Sequence, residues 1–237
     1  MSLTDRLLGP ILRDDAARPL ITFYDDRDGS RVELSAATLA NWAAKTANWL
    51  RDDCDVEVGD PVHVALPAHW QTAGVLLGAW WCGAHVVDNP AGAAVSLVAP
   101  DAVSGATTAA VRAAVALDPL GRGLPEPPDG HLDYIGETRV HGDHFHPIAP
   151  APGDTPALLE ASVDELAATA AARAAALGIT PGARVLSSLE WTLPQGLTDG
   201  LLAVLAARAS LVHCANPDPA ALAKRRTTEH VTLTLGG

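Results

Sequence analysis

Apolar and polar positions come in blocks whose period changes along the chain. Val62–Leu66 is a short apolar run, opened by the turn signal Gly59-Asp60-Pro61 and stopped by Pro67, and it reads as a strand. Trp70–Cys82 is apolar almost all the way round, which predicts a helix buried on more than one side. Gly83 stands where a left-handed helix C-cap belongs, and His85–Val87 returns as a second strand. Val58–Val87 therefore predicts a strand–helix–strand unit with a right-handed crossover. The plan recurs: Pro181-Gly182 opens Arg184–Ser188, Gln195–Arg208 has helical length, and Ala209–Cys214 is a strand. Gly59 to His85 spans 26 residues and Gly182 to Ser210 spans 28, so two α/β lobes on one plan are expected.

Other blocks fill in around these units. Leu3–Leu12 predicts a short opening helix. Leu20–Tyr24 and Arg31–Leu34 flank Asp28-Gly29 and predict a hairpin. Ser35 is an N-cap for a helix over Ala36–Arg51, with Leu34 and Leu39 as its hydrophobic staple. Leu39, Trp42, Thr46, Trp49 and Leu50 form the buried stripe of that helix, which makes both tryptophans core residues. Val95–Ala99 and Ala114–Leu117 are predicted strands on either side of a helix near Ser104–Arg112. His131–Pro152 predicts a short helix followed by a loop. Pro147–Thr155 has linker character and marks the boundary between a lobe at residues 1–150 and a smaller one at 151–237 packed against it. Ala157–Leu159 is a stub of strand, and Ser162-Val-Asp-Glu165 is a capping box opening a long Ala-rich helix that ends at Gly178. A helix near Asp218–Arg226 and a strand over His230–Leu235 follow. The fold class expected is α/β, with two lobes of mostly parallel sheet and flanking helices.

Charge narrows the function. The chain has 237 residues and a net charge of −12, with lysine only at Lys45 and Lys224, which argues against a nucleic-acid binder. Cys54, Cys82 and Cys214 are odd in number and far apart, so neither a disulfide framework nor a zinc knuckle is expected. No stretch reads as a signal peptide or membrane span, and a cytoplasmic protein without membrane partners is expected.

Three segments carry a family resemblance. They are RPLITFYDDRDGSRVELSAATLANWAAKTANWLRDD, VEVGDPVHVALPAHWQTAGVLLGAWWCGAHVV and LGITPGARVLSSLEWTLPQGLTDGLLAVLAARASLVH. In this order they resemble the N-terminal part of the adenylate-forming superfamily, the AMP-dependent synthetases and ligases that include acyl-CoA synthetases. The resemblance implies the fold of the N-terminal subdomains of those enzymes. It also implies a Ser/Thr/Gly-rich phosphate loop ending in Pro-Lys, between a short strand and a helix. At that place only Glu160 and Ala161 separate the strand stub from the capping box, so the loop is read as deleted. Glu160, Asp164 and Glu165 put carboxylates at the helix start, where they satisfy the helix dipole and repel phosphate. The later adenine and ribose segments and the small C-terminal domain of the family have no counterpart before Gly237.

Other motifs weigh less. Ser104-Gly-Ala-Thr-Thr108 looks like a fragment of the phosphate loop but lacks its second Gly and its Pro-Lys, and an N-cap at Ser104 explains it. Tyr134–Thr138 has the letters of an adenine segment in the wrong order. His141, His144 and His146 with Asp143 are the densest ligand-type cluster, yet their spacing fits no zinc frame, and they read as polar loop residues. Glu190-Trp191 follows a strand end, where α/β folds place ligand contacts, and is read as packing. His63, His69, His85 and His213 are read as satisfied core or surface histidines. No catalytic, cofactor-binding or metal residue is assigned, and no cofactor is expected. The expected function is a non-catalytic relative of the AMP-dependent synthetases that binds or assembles. It would hold a small acyl or aryl ligand, pair with itself as a homo-oligomer through apolar surface near the last strand, or take a protein partner. The alternative is one part of a split adenylate-forming enzyme completed by a separate chain. Arg184 and Arg226 stay open as cations that could compensate for the missing loop.

Overall fold

The computed structural model describes residues 1–106 and 108–236. In chain order the regular elements begin with α1 (Leu3–Asp15), the hairpin β1 (Pro19–Asp25) and β2 (Ser30–Ser35), α2 (Ala36–Asp52), β3 (Pro61–Ala65), α3 (Trp70–Cys82) and β4 (His85–Val87). They continue with β5 (Val95–Val98), a 3₁₀ segment Pro100–Ala106, β6 (Val111–Ala114), β7 (Leu132–Asp133), α4 (Tyr134–Arg139), β8 (Pro156–Leu158) and β9 (Ala161–Ser162). The last part holds α5 (Val163–Ala176), β10 (Arg184–Ser187), α6 (Gln195–Leu197), a π-helical turn Thr198–Leu202, α7 (Ala203–Ala206), β11 (Ser210–Ala215), α8 (Pro219–Thr228) and β12 (Leu233–Leu235).

Two compact units result, and they do not divide at residue 150. One comprises Met1–Asp5, Ala40–Pro67 and Gln71–Leu166; the other comprises Arg6–Leu39, Ala68–Trp70 and Ala167–Gly237. The first contains the seven-stranded order β7-β6-β5-β3-β4-β8-β9, parallel except for the β8–β9 pair. The second contains β12-β10-β11-β1-β2, parallel except for the β1–β2 hairpin. The early hairpin thus joins the late strands, because Ile21–Asp25 pairs with Leu211–Ala215. Likewise β8 lies beyond the proposed linker yet pairs with β4 through Val86 and Leu158. Hydrophobic periodicity marks a strand but not its partner, and these partners are far apart in sequence.

Both strand–helix–strand units form with parallel pairs: β3-α3-β4 in one unit, β10 to β11 in the other. Gly83 caps α3 at φ +91, a left-handed conformation that glycine adopts without strain. Ser35 Oγ accepts the Thr38 N–H at 3.1 Å, and Asp133 and Asp218 cap α4 and α8 in the same way. One segment differs from expectation. Instead of a helix near Ser104–Arg112 there is a 3₁₀ segment from Pro100, and the next strand starts early, at Val111. β-branched Val111 pairs with Val95, and Leu117 turns left-handed (φ 54) where a strand over Ala114–Leu117 would continue. The Ser104–Thr108 fragment includes residue 107, which lies outside the described residues, as does Gly237.

In the first unit every residue of α3 is buried except Trp81, which is half-buried. Its Trp80 indole N–H reaches Ala157 O at 2.8 Å, tying the helix to β8. Its other covering is α2, which approaches closely at Gly78. A Cβ there would overlap Thr46 Cβ and come within 2.7 Å of Thr46 Cγ2 and 2.8 Å of Ala43 O. Thr46 cannot yield easily, since its hydroxyl bonds Trp42 O and the buried Tyr134 hydroxyl at 2.8 and 2.6 Å. At Gly74 the nearest atom to a new Cβ is Trp42 Cβ at 3.3 Å, a contact a small shift relieves. Gly78→Ala is therefore expected to destabilise by roughly 1–3 kcal/mol through overpacking, and Gly74→Ala by clearly less. Urea unfolding of the two variants checks the order.

Candidate functional site

The place where the resemblance puts a phosphate loop is a tight turn. β8 and β9 pair antiparallel with Leu158 opposite Ala161, so Leu159 and Glu160 alone connect them. Leu159 is left-handed (φ 49); its N–H donates to Val86 O at 3.0 Å, and its carbonyl accepts from His85 Nε2 at 2.6 Å. A carbonyl can only accept, so Nε2 carries the proton. The start of α5 is equally committed. Val163 N donates to Thr155 O and Asp164 N to Gly153 O, both at 2.9 Å. Ser162 Oγ accepts from Glu165 N at 3.3 Å while Glu165 Oε2 accepts from Ser162 N at 3.0 Å, the reciprocal bonds of a capping box. These bonds hold the Glu165 carboxyl below its ordinary range, with the Ser162 N–H the main cause. The N–H groups of Leu159, Ser162, Val163, Asp164 and Glu165 thus already have protein acceptors.

Arg184 is committed as well. Its Nη2 donates to the Glu229 carboxylate and to Thr22 Oγ1 (3.0 Å), and its Nε to Glu229 O at 2.8 Å. The Tyr24 hydroxyl donates to the same carboxylate at 2.5 Å, and Arg31 approaches it at 3.2 Å. Burial would raise the Glu229 pKa, but the hydrogen bonds from Tyr24, Arg184 and Arg31 outweigh it and hold it at about 2. Arg226 is exposed on α8.

The second unit gathers residues that the sequence scatters. Phe23 of β1 stacks near His213 of β11 (centroids 6.0 Å) and takes the edge of His69 at 4.4 Å. Trp191 lies 5.6 Å from His213, and Trp70 lies 5.6 Å from His69. The π-helical turn seats the indole: a Cβ on Gly200 would stand 2.7 Å from Trp191 Cδ1 and Nε1. Among the described residues neither Trp191 Nε1 nor His213 Nδ1, both buried, has a hydrogen-bond partner. His213 is therefore not a satisfied core histidine, and burial pushes its pKa down to about 4, leaving a neutral ring. The indole and both imidazoles are buried against one another and Phe23. Trp191 after a strand end was the available signal; its meeting with His213 was not, since β10 and β11 are joined through a helix.

His63 and His141 have structural partners. His63 Nδ1 lies 2.7 Å from Ser96 Oγ on the neighbouring strand, and both residues are buried. The histidine loop is a docked strap. Lys45, Asn48 and Arg51, spaced three apart on α2, donate to the carbonyls of His141 (2.5 Å), Gly142 (3.1 Å), His144 (3.0 Å) and His146 (2.9 Å). His141 Nε2 meets Asp53 at 2.9 Å, while His144 and His146 are exposed. Among the described residues no group of three His, Cys, Asp or Glu is arranged to hold a metal ion. Nor is any helix long and apolar enough to cross a membrane.

Solved structures share this fold. An acyl-CoA synthetase from Brucella canis matches 99% of the chain at a TM-score of 0.80 and 17% identity. Acetoacetyl-CoA synthetase from Streptomyces lividans matches 99% at 0.77 and 17% identity, and MatB from Rhodopseudomonas palustris 99% at 0.74 and 18%. The chain spans about half of their lengths: 47%, 42% and 49% respectively. The fold is thus that of the N-terminal part of acyl-CoA synthetases. No family model matches the chain. A Mycobacterium tuberculosis protein described as a TIGR03089 family protein is 48% identical over 241 residues, covering 99% of this chain and 98% of its own length. The chain belongs to the TIGR03089 family.

The buried His213 makes stability pH-dependent. In the unfolded chain it titrates near its ordinary value of about 6.5; in the fold it resists protonation until about pH 4. Between those values the unfolded state binds more protons, so the contribution is complete above pH ~6.5 and falls by about 3 kcal/mol by pH 4. Replacing His213 with Leu is expected to flatten this acid slope, as read from urea unfolding at pH 4.5 to 7.

Proposed function

We propose that the chain is a non-catalytic relative of the AMP-dependent synthetases and ligases that retains their N-terminal fold as a binding or assembly protein. The observation that carries this is the two-residue connection between β8 and β9, followed by a helix start whose N–H groups already have acceptors. In our reading the phosphate loop is deleted here. An incoming triphosphate would find Glu160, Asp164 and Glu165 in its place, each helix-start carboxylate an opposing contribution of roughly 0.3–1 kcal/mol. Adenylation needs donors aimed at charge developing on the α-phosphate, and the helix-start N–H groups here are engaged by Thr155, Gly153 and Ser162. A small acyl or aryl ligand as cargo is part of the same proposal. A cytoplasmic location belongs to the same proposal.

Calorimetry with ATP–Mg²⁺ and a pyrophosphate-exchange assay over a panel of carboxylic acids test it. No submillimolar ATP binding and no exchange above background are expected from the purified single chain; either signal overturns the reading. The chain's half-length match to whole synthetases favours one second reading, a split enzyme. Exchange that appears only when a separate chain supplying the rest of a synthetase is added would establish it. The histidine loop is proposed to be metal-free, its side chains and carbonyls serving to dock it on α2. Elemental analysis of untagged protein is expected to find less than one zinc or nickel per chain. One tightly held ion that disappears when His144 and His146 are replaced by Ala would reverse this.

A further inference from the structure

Among the described residues the exposed large apolar side chains are Met1, Val58, Leu120, Leu132, Val140 and Ile148, all in the first unit. On the last strand, in the second unit, Leu233 is half-buried and Leu235 buried. Val58 and Ile148 line one groove of about 440 Å³, floored by Val56, Cys82 and Phe145. Ile148 is 90% exposed, which an apolar side chain on a docked strap does not need for folding.

The rim of this groove is acidic. Residues 52–60 carry Asp52, Asp53, Asp55, Glu57 and Asp60 with no cation among them. Asp52 is paired with Arg51 and Asp53 with His141, but Asp55 and Glu57, which line the groove, have no ion-pair partner among the described residues. Arg51, the cation in the lining, is neutralised by Asp52 at 2.6 Å and lies over the Phe145 ring at 4.9 Å. The groove thus offers an aromatic and aliphatic floor beside two uncompensated carboxylates. A second copy of a chain with a net charge of −12 would bring like charge to it.

We propose that this groove docks a segment of another protein in which a bulky apolar side chain is flanked by Lys or Arg. The apolar group would fill the floor against Phe145 and Ile148, and the cations would meet Asp55 and Glu57. This rests on no assumption about nucleotide binding and would stand if ATP bound.

The test uses the full chain and fluorescein-labelled hexapeptides that place Phe or Leu between lysines, followed by anisotropy in 0.15 M salt. Matched peptides carry Gln for Lys, or Ala for the apolar residue. Binding is expected only when both features are present. Ile148→Asp, and Asp55→Asn with Glu57→Gln, are each expected to weaken it at least fivefold with an unchanged circular dichroism spectrum. These positions are exposed, so the fold should survive. Absence of binding overturns the proposal. So does equal binding by Ile148→Asp, which would mark general attraction to an acidic chain. Sedimentation showing self-association that Ile148→Asp abolishes would assign the groove to a second copy and overturn it too.

Discussion

A helix that is apolar on every side has to be covered on every side, and α3 imposes that condition on the first unit. Strands β3 and β4, which flank it in sequence, are parallel neighbours in the sheet. Helix α2 covers it so closely that Gly78 has no room for a methyl group. Because α2 is held there by packing, its other side is free to present Lys45, Asn48 and Arg51, and these hold the histidine loop by its carbonyls. Phe145 is pinned between Arg51 and Trp81 as a result, and the groove beside it follows from the same placement.

A comparable economy governs the start of α5. A helix N-terminus leaves its first N–H groups without intrahelical partners, and such groups attract anions unless something nearer accepts them. Here Gly153, Thr155 and Ser162 accept them, while His85 clamps the turn before them. Carboxylates at Asp164 and Glu165 complete the arrangement from the side of charge. What elsewhere serves as an anion site is, in this chain, an internally satisfied corner. In the second unit the polarity is reversed: Trp191 Nε1 and His213 Nδ1 are buried without partners among the described residues, at a cost of roughly 1–3 kcal/mol for each unsatisfied group.

Local physics was readable from residue order. The helix over Trp70–Cys82, the capping box at Ser162, the left-handed Gly83 and the two strand–helix–strand units all depend on neighbours within a few turns of chain, and periodicity and capping chemistry report those directly. The shortness of the β8–β9 connection was likewise visible, since it is a count of residues. Tertiary structure alone decided which strands share a sheet: the hairpin at Pro19–Ser35 belongs with β10 to β12, because a strand edge pairs with whichever edge the whole chain brings beside it. The same reason explains why His213 meets Trp191, why Arg184 is engaged by Glu229, and why Ile148 and Val58 share a groove with Asp55 and Glu57. Each is a contact across long sequence separations, and no local pattern encodes it.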